Sequence, residues 1–243
     1  MKKFIKSKFD RIIFSMYTYV YKVVEQNRPK RIILIRHGQS IANLDETVYE
    51  CTPDCKIALS VNGERQAYEA GVKLKKLIGE ESVTFYVSPF LRTRQTYDQI
   101  VKQFDKNKHL LVEDPRIREQ ERGNYQKMDN RDKVWHERDD VGLFFYRYEG
   151  GESVADVYDR CSSFLETLFR FENIGKTYLD NKIIISHGGF MRLFIMRYYK
   201  LKVPQFEAMN NPENCGMWVM ERRDDGSYKL IPELEKLQDN KKL

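Results

Sequence analysis

The chain has 243 residues, of which 41% are hydrophobic and 32% are charged, enough to bury the core of one large α/β domain or two small ones. No apolar run approaches the roughly 20 residues that a membrane-spanning helix needs. The net charge of +6 is confined to one end, because residues 1–31 hold nine Lys or Arg against only Asp10 and Glu25, which leaves the remainder at about −1. No basic stripe or RNA-binding signature follows, so we expect no nucleic-acid partner.

The first element in the chain is a basic extension over residues 1–30. Within residues 1–28, most apolar side chains share one side of a helical projection and most polar ones share the other, which predicts an amphipathic helix. The stretch YTYVYKVV also alternates as a strand would. Neither a secretory signal nor a mitochondrial presequence fits well. Two interpretations remain open: the helix docks on its own domain or a sister subunit, or it lies on an anionic membrane surface.

Short apolar runs rich in β-branched residues follow the extension and alternate with helical patterns. Strands are predicted over 31–35, 83–87, 109–112, 182–186 and 216–221, and helices over 61–78, 89–104, 152–171 and 189–199. The alternation predicts a three-layer α/β/α sandwich around a mainly parallel sheet of about six strands. We expect this domain to span residues 31–221, and a polar, solvated tail to follow over residues 222–243.

Residues 124–149 are the irregular part of the domain, dense in aromatic and charged side chains. They are interpreted as an insertion over the edge of the sheet, in which several residues are candidates for a substrate lid: Trp135, His136, Arg138, Phe145, Arg147 and Tyr148. The alternative is that the insertion only packs its aromatic side chains against the domain.

The four cysteines show no disulfide framework; they are Cys51, Cys55, Cys161 and Cys215. Cys51 and Cys55 could pair or bind zinc, but no second ligand pair with suitable spacing accompanies them. We therefore expect reduced thiols, no metal site and a cytoplasmic, reducing location.

Two predicted strands end in histidine. The run RIILIRHGQS ends in Arg36-His37-Gly38, and KIIISHGGFM ends in His187 followed by two glycines. In open α/β sheets, ligands bind beyond the carboxyl ends of the strands. Both imidazoles are therefore predicted to lie where such a fold places its chemistry.

Further candidate residues surround this pair. Asn43 and Ser40, a candidate helix cap, follow the first histidine, and SPFLRTRQT offers Ser88 as an N-cap and Arg92 inside the helix. Arginine has forked donors that match phosphate oxygens, and imidazole is a nucleophile. The set suits the binding of a tetrahedral phosphate dianion.

The chain resembles the histidine phosphatase superfamily, in its phosphoglycerate mutase-like branch, over roughly residues 31–220. The motifs, in chain order, are RHGQSIAN, LSVNGERQA, SPFLRTRQT, REQERG, GGES and SHGG. The stretches REQERGNYQ and FYRYEGGESVADVYDR look most like phosphoglycerate mutase-like proteins of plants and fungi.

The resemblance implies a role for each candidate. His37 attacks phosphorus and becomes a phosphohistidine, while Arg36, Arg92 and His187, assisted by Asn43, bind the phosphoryl oxygens. Neighbouring guanidinium charge favours the neutral imidazole that a nucleophile requires.

The resemblance also implies a general acid. Glu119 protonates the leaving oxygen and then activates water. Glu121 competes for this role, although the spacing to Gly123 favours Glu119. No metal and no cofactor are implied, because the arginines supply the positive charge.

The predicted function is metal-independent hydrolysis of small phosphate monoesters through a phosphohistidine. One alternative is a phosphoglycerate mutase, but where mutases carry Gly-Gly-Leu-x-Gly after the glutamate this chain has RGNYQKM. A second alternative is a non-catalytic phosphate-binding or scaffold protein. The substrate depends on residues 124–149 and is not readable from the sequence, and neither is the oligomeric state.

Overall fold

The computed structural model describes residues 8–26, 28–123, 131–169 and 180–237. Within them are seven α-helices: α1 Lys8–Gln26, α2 Val61–Ile78, α3 Leu91–Ile100, α4 Arg131–Val141, α5 Val154–Leu168, α6 Gly188–Tyr199 and α7 Val203–Glu207. Six strands alternate with them: β1 Arg31–Arg36, β2 Val83–Val87, β3 His109–Glu113, β4 Asn181–Ser186, β5 Met217–Arg222 and β6 Tyr228–Ile231.

The six strands form one sheet in the order β3-β2-β4-β1-β5-β6. Strands β1 to β4 run parallel to one another, whereas β5 is antiparallel to β1 and β6 is antiparallel to β5. Alternate residues of β1 point to opposite faces. Ile32 and Leu34 pack with α5 and α6, and Ile33 and Ile35 pack with α2. The predicted sandwich around a mainly parallel sheet is confirmed.

Two helices begin at serine caps, and a third departs from its predicted cap. The Ser60 side chain caps α2, and Ser153 caps α5 in a reciprocal pair with Asp156. The prediction that Ser88 caps the next helix is wrong, because α3 begins at Leu91. The Ser88 hydroxyl lies instead 2.9 Å from a ring nitrogen of His187.

The expected solvated tail from residue 222 is wrong for its first part, where β6 lies. The side chains of Tyr228 and Leu230 are buried against the core, and the Tyr228 hydroxyl donates to the carbonyl oxygen of Pro29. The four-residue alternation is too short to stand out among the charged residues around it. Residues 238–243 lie outside the described part of the chain.

The N-terminal segment is helical over Lys8–Gln26, as the helical projection predicts, and not a strand. Large apolar side chains of this helix are half exposed or more: Ile12, Ile13, Phe14, Met16, Tyr17 and Tyr19. Docking of α1 onto its own domain therefore finds no support in these side chains. Among the described residues, no helix is both long and apolar enough to cross a membrane.

Candidate active site

A cleft of about 160 Å³ opens beyond the carboxyl ends of the central strands. Five of the six predicted site residues line it: Arg36, His37, Asn43, Arg92 and Glu119. The sixth, His187, is buried directly behind His37, and the neighbouring Gly188 lines the cleft in its place. The structure thus gathers residues from four separate sequence motifs around one small polar cavity.

His37 follows the last residue of β1, and its ring is oriented by its own main chain. The Nδ1 atom lies 2.7 Å from the carbonyl oxygen of Gly38, which can only accept, so Nδ1 carries the proton and Nε2 holds the lone pair. Burial, followed by the charges of Arg92 and Arg36, lowers the pKa of His37 well below its ordinary value, against the opposing effect of the Gly38 hydrogen bond. His37 is therefore a neutral imidazole with one free nitrogen.

Gly38 is required because the turn after β1 passes close to the first turn of α2. A Cβ atom at this position would lie 2.4 Å from the main-chain oxygen of Gly63. The main-chain nitrogen of His37 also donates to the Ser186 oxygen of β4. The nucleophile is thus fixed by the sheet on one side and by a helix on the other.

His187 lies at the end of β4 with its imidazole fully buried. Its Nε2 shares a hydrogen bond with Ser88, whereas its Nδ1 is buried without a partner among the described residues. Burial, then the charges of Arg92 and His37, lowers the pKa of His187 well below its ordinary value. A buried ring nitrogen without a partner beside the cleft is available to a phosphoryl oxygen.

Arg36 is a cation with neutral hydrogen-bond partners. Its Nη1 donates to the carbonyl oxygen of Pro212 at 2.7 Å, and its Nε is buried without a partner among the described residues. Burial lowers the pKa of Arg36, opposed by the nearby charge of Glu119. The guanidinium stays charged because its pKa starts far above neutrality, so an anion entering the cleft finds an incompletely paired cation.

Arg92 is the second residue of α3, and its side chain is only 4% exposed. Its Nη1 donates to both the main-chain oxygen and Oδ1 of Asp54, each at 2.7 Å. Asp54 also lines the cleft. The sequence patterns singled out Arg92 but gave no indication of this carboxylate.

Asn43 both caps a turn and lines the cleft. Its Oδ1 accepts from the main-chain nitrogen of Ser40 and from Nδ2 of Asn214, while the Ser40 hydroxyl accepts from the Asn43 nitrogen. The predicted cap at Ser40 is therefore present. With the Asn43 oxygen engaged, its Nδ2 is the end of the amide that can donate to a ligand.

The loop before Gly123 places Glu119, and not Glu121, in the cleft. Arg160 anchors this loop by donating to the carbonyl oxygens of Arg116, Arg118 and Glu119 at 2.6, 2.8 and 3.0 Å. The Glu121 side chain turns away and accepts from the main-chain nitrogen of Gly123.

Another glutamate, Glu152, also holds this loop in place. The carboxylate of Glu152 accepts from Arg118, from Arg160 and from the main-chain nitrogen of Glu121. Burial raises the pKa of Glu152, but these donors outweigh it and the net shift is downward. Glu152 thus supports the loop that carries Glu119.

A second cleft of about 270 Å³ adjoins the first and shares Glu119, Arg122 and Asn211 with it. Of the predicted lid residues, Trp135 and Arg138 of α4 and the following Tyr148 line this cleft. The others do not: His136 and Phe145 are exposed, and Arg147 pairs with Asp156. Residues 124–130 of the insertion lie outside the described part of the chain.

Arg192 lines the second cleft and was not predicted. Its partial burial lowers its pKa to about 10. Its Nη2 donates to the carbonyl oxygen of Phe206 at 3.0 Å and its Nη1 to Oδ1 of Asn211 at 3.5 Å, whereas its Nε has no partner among the described residues. Within the described residues no carboxylate forms an ion pair with it. The helical spacing of α6 gave no reason to separate this arginine from an ordinary surface charge.

Sequence comparisons agree with the geometry. Residues 32–231 match the family model described as histidine phosphatase superfamily (branch 1). A phosphoglycerate mutase-like protein of Arabidopsis thaliana is 45% identical over 214 residues, which cover 83% of this chain and 68% of the relative. The broad-range acid phosphatase of Saccharomyces cerevisiae is 29% identical over 286 residues, which cover 80% of this chain and 86% of the relative.

Solved structures share the fold. That of a mycobacterial glucosyl-3-phosphoglycerate phosphatase matches with a TM-score of 0.65 and 20% sequence identity, covering 83% of this chain and 96% of that chain. That of a phosphoserine phosphatase from Entamoeba histolytica matches with a TM-score of 0.58 and 22% identity, covering 83% of this chain and 94% of that chain.

Proposed function

The chain belongs to the histidine phosphatase superfamily, in its phosphoglycerate mutase-like branch, and we propose that it hydrolyses small phosphate monoesters through a phosphohistidine. The observation that carries this proposal is the state of His37: a buried, neutral imidazole whose Nδ1 is held by the Gly38 carbonyl and whose Nε2 is free. Arg36 and Arg92 line the cleft around it. These are the groups that an in-line attack on phosphorus requires.

In the first step, Nε2 of His37 forms a bond to phosphorus while the bond from phosphorus to the ester oxygen breaks. Glu119 gives its proton to the departing oxygen, so the leaving group departs as a neutral alcohol. Arg36 and Arg92 stabilise the negative charge that spreads over the other phosphoryl oxygens. The product is a phosphohistidine and a carboxylate at Glu119.

In the second step, the Glu119 carboxylate takes a proton from water, and the water oxygen bonds to phosphorus. The N–P bond breaks, inorganic phosphate leaves, and both His37 and Glu119 return to their starting states. Neutral His187, packed against His37, donates a hydrogen bond from its Nδ1–H to a phosphoryl oxygen, while its Nε2 accepts from Ser88. Every step is carried by side chains, and none calls for a metal.

Membership of the family makes the chain an enzyme that acts on phosphate esters. Within this activity we propose hydrolysis over mutase chemistry, on two grounds. The sequence after Glu119 departs from the mutase pattern. The yeast relative is named as a phosphatase. The deciding experiment assays a panel of phosphorylated metabolites with EDTA present and scores free phosphate against isomerised product. Free phosphate supports hydrolysis, an isomerised product supports the mutase alternative, and binding without turnover supports a scaffold.

The second cleft indicates which further chemical group the leaving group of the substrate carries. It adjoins the phosphoryl site through Glu119 and presents the incompletely paired Arg192 together with Arg138, whose guanidinium stacks on Trp135 at 3.7 Å. A partly buried cation that forms no ion pair with the described residues favours an anionic ligand. We therefore propose a small substrate whose leaving group bears a second anionic group, a carboxylate or a further phosphate.

The helix α1 lies outside both clefts. In this proposal it determines where the enzyme is located and takes no part in the reaction. Exposed apolar side chains near a basic N-terminus suit the surface of an anionic membrane. We propose a cytoplasmic enzyme in which this helix makes a peripheral contact with such a surface.

A further inference from the structure

One wall of the catalytic cleft comes from residues 44–57, a segment of short turns between β1 and α2 to which the sequence motifs assigned no function. Three of its side chains line the cleft: Glu46, Tyr49 and Asp54. We propose that Asp54 is a positioning residue, which holds the guanidinium of Arg92 in the orientation that receives the phosphoryl group. This inference rests on the proposed function, since it concerns how that chemistry is organised.

The contact between these residues is unusually restrictive. A single nitrogen of Arg92, Nη1, is held by two oxygens of one residue, the main-chain oxygen and Oδ1 of Asp54, both at 2.7 Å. The side chains are 4% and 11% exposed, so water cannot readily replace either partner. An arginine side chain has many rotamers, and fixing one nitrogen in this way leaves Nε and Nη2 as the donors that remain for a ligand.

Asp54 is itself held in place. It follows Pro53 and begins a short 3₁₀ turn in which its carbonyl oxygen also accepts from the main-chain nitrogen of Ile57 at 3.3 Å. The Ile57 side chain is buried, so the turn is anchored in the interior of the domain. The carboxylate thus links Arg92 to a fixed point of the fold and not to a loose surface segment.

The charge of Asp54 raises a competing explanation. A carboxylate in a phosphate site repels the incoming dianion. If Asp54 only paired with Arg92 while no substrate was bound, it would compete with the substrate and slow the enzyme. The geometry favours positioning, because Nη1 is bound by the main-chain oxygen as well. A single hydrogen bond to the main-chain oxygen would leave the guanidinium free to rotate, and the carboxylate removes that freedom by accepting from the same nitrogen.

The test compares Asp54→Ala and Asp54→Asn with the wild type on an aryl phosphate. Asp54→Asn keeps the size and the acceptor oxygen, so it remains informative if Asp54→Ala does not fold. A misplacement of about 1 Å at a catalytic group costs roughly 10²-fold, so we expect kcat to fall roughly 10- to 100-fold in Asp54→Ala and less in Asp54→Asn. Asp45→Asn is the matched control, because Asp45 caps a turn of the same segment and makes no contact with Arg92.

Inhibition separates positioning from structural damage. Vanadate imitates the five-coordinate transition state, whereas inorganic phosphate imitates the ground state. We expect the inhibition constant of vanadate to rise in Asp54→Ala by about the same factor as kcat falls, and that of phosphate to change much less. Equal or faster turnover with tighter phosphate binding would instead identify Asp54 as a competitor and overturn the proposal.

A double-mutant cycle with Arg92→Ala tests whether Asp54 acts through this arginine. In the Arg92→Ala background, Asp54→Ala should cause little further loss of kcat or of vanadate affinity. Independent, multiplying losses would overturn the proposal. An inactive wild-type protein would refute the proposed hydrolysis but not the pairing, since the same cycle can then be measured by vanadate and phosphate binding alone.

Discussion

The imidazole rings of His37 and His187 lie edge to face with their centroids 5.3 Å apart, at the ends of the paired parallel strands β1 and β4. Burial is the main cause that lowers the pKa of each, and the charge of Arg92 adds to it in both. Because both pKa values are lowered well below the ordinary value of histidine, the two rings are neutral at physiological pH. The attacking nitrogen of His37 is therefore unprotonated.

The first prediction concerns the nucleophile. His37→Ala should abolish turnover and prevent formation of an acid-labile, base-stable phosphoenzyme, because no other imidazole among the described residues lines the cleft. The thermal midpoint should change little, since the one hydrogen bond of the ring among the described residues is to the adjacent Gly38 carbonyl. The control is His136→Ala, a change at an exposed histidine of α4. Appreciable turnover by His37→Ala would refute covalent catalysis at this residue.

The second prediction concerns the general acid. Glu119→Gln should slow alkyl phosphates by roughly 10²–10⁴-fold, because their leaving oxygen needs a proton. Aryl phosphates should lose much less, since their leaving groups depart without one. Steady-state kinetics on one ester of each kind measures the difference.

Glu121→Gln is the matched control for that experiment. Its carboxylate is two residues away but points out of the cleft toward the Gly123 nitrogen. It should therefore behave as the wild type on both esters. If Glu121→Gln shows the loss specific to alkyl esters and Glu119→Gln does not, the assignment of the acid is off by two residues.

The fold was predictable because its strongest signals are local. Runs such as Ile32–Ile35 and Ile183–Ile185 are apolar on both faces, and regular helical patterns alternate with them. Strand β6 was missed since only Tyr228 and Leu230 signal it within a charged stretch. Its burial depends on β5, a tertiary neighbour that a short alternation does not reveal.

The candidate site was also predictable only in part. Residues inside motifs, such as His37 and Arg92, were found from the sequence. Asp54 was missed because its partner Arg92 lies far along the chain, and Arg192 was missed because only its Nε, which has no partner among the described residues, sets it apart. A carboxylate in an irregular segment looks like any solvated turn residue until the fold brings it to an arginine 38 residues away.

The third prediction follows from the buried state of His187. Its pKa is lowered in the folded protein, so above about pH 6.5 the ring is neutral in both states and contributes no pH dependence. Below that pH the unfolded chain binds a proton that the folded protein does not, and the free energy of unfolding falls.

The measurement is urea unfolding of the wild type and of His187→Asn at pH 7.5 and 5.5. Between these values the wild type should lose more stability than the variant, by up to about 1.4 kcal/mol. Acidic groups that titrate in this range affect both proteins and cancel in the comparison. Equal losses in the two proteins would show that His187 accepts a proton in the folded state.

The fourth prediction concerns the second anionic group of the substrate. Arg192→Gln should raise KM for esters that carry a carboxylate or second phosphate by roughly 10- to 100-fold, the range for loss of a charge-assisted hydrogen bond. Simple aryl phosphates, which have no such group, should be hydrolysed as before. Arg197→Gln, a change on the same helix at a residue that bonds to Ser162, is the control. A uniform loss on all esters would assign Arg192 a structural role.

The last prediction concerns α1. Its described apolar side chains are exposed, whereas Arg28 donates to the Gly226 oxygen and Pro29 accepts from Tyr228. The catalytic domain therefore begins near residue 28, and deletion of residues 1–26 should leave turnover of small esters and the thermal midpoint largely unchanged. Binding to vesicles rich in phosphatidylserine should fall on deletion, and the difference should be larger at low salt because basic residues contribute to it. Neutral phosphatidylcholine vesicles are the control for apolar binding alone. Unchanged binding to the anionic vesicles, together with a lowered thermal midpoint, would show that this helix packs on protein and not on lipid.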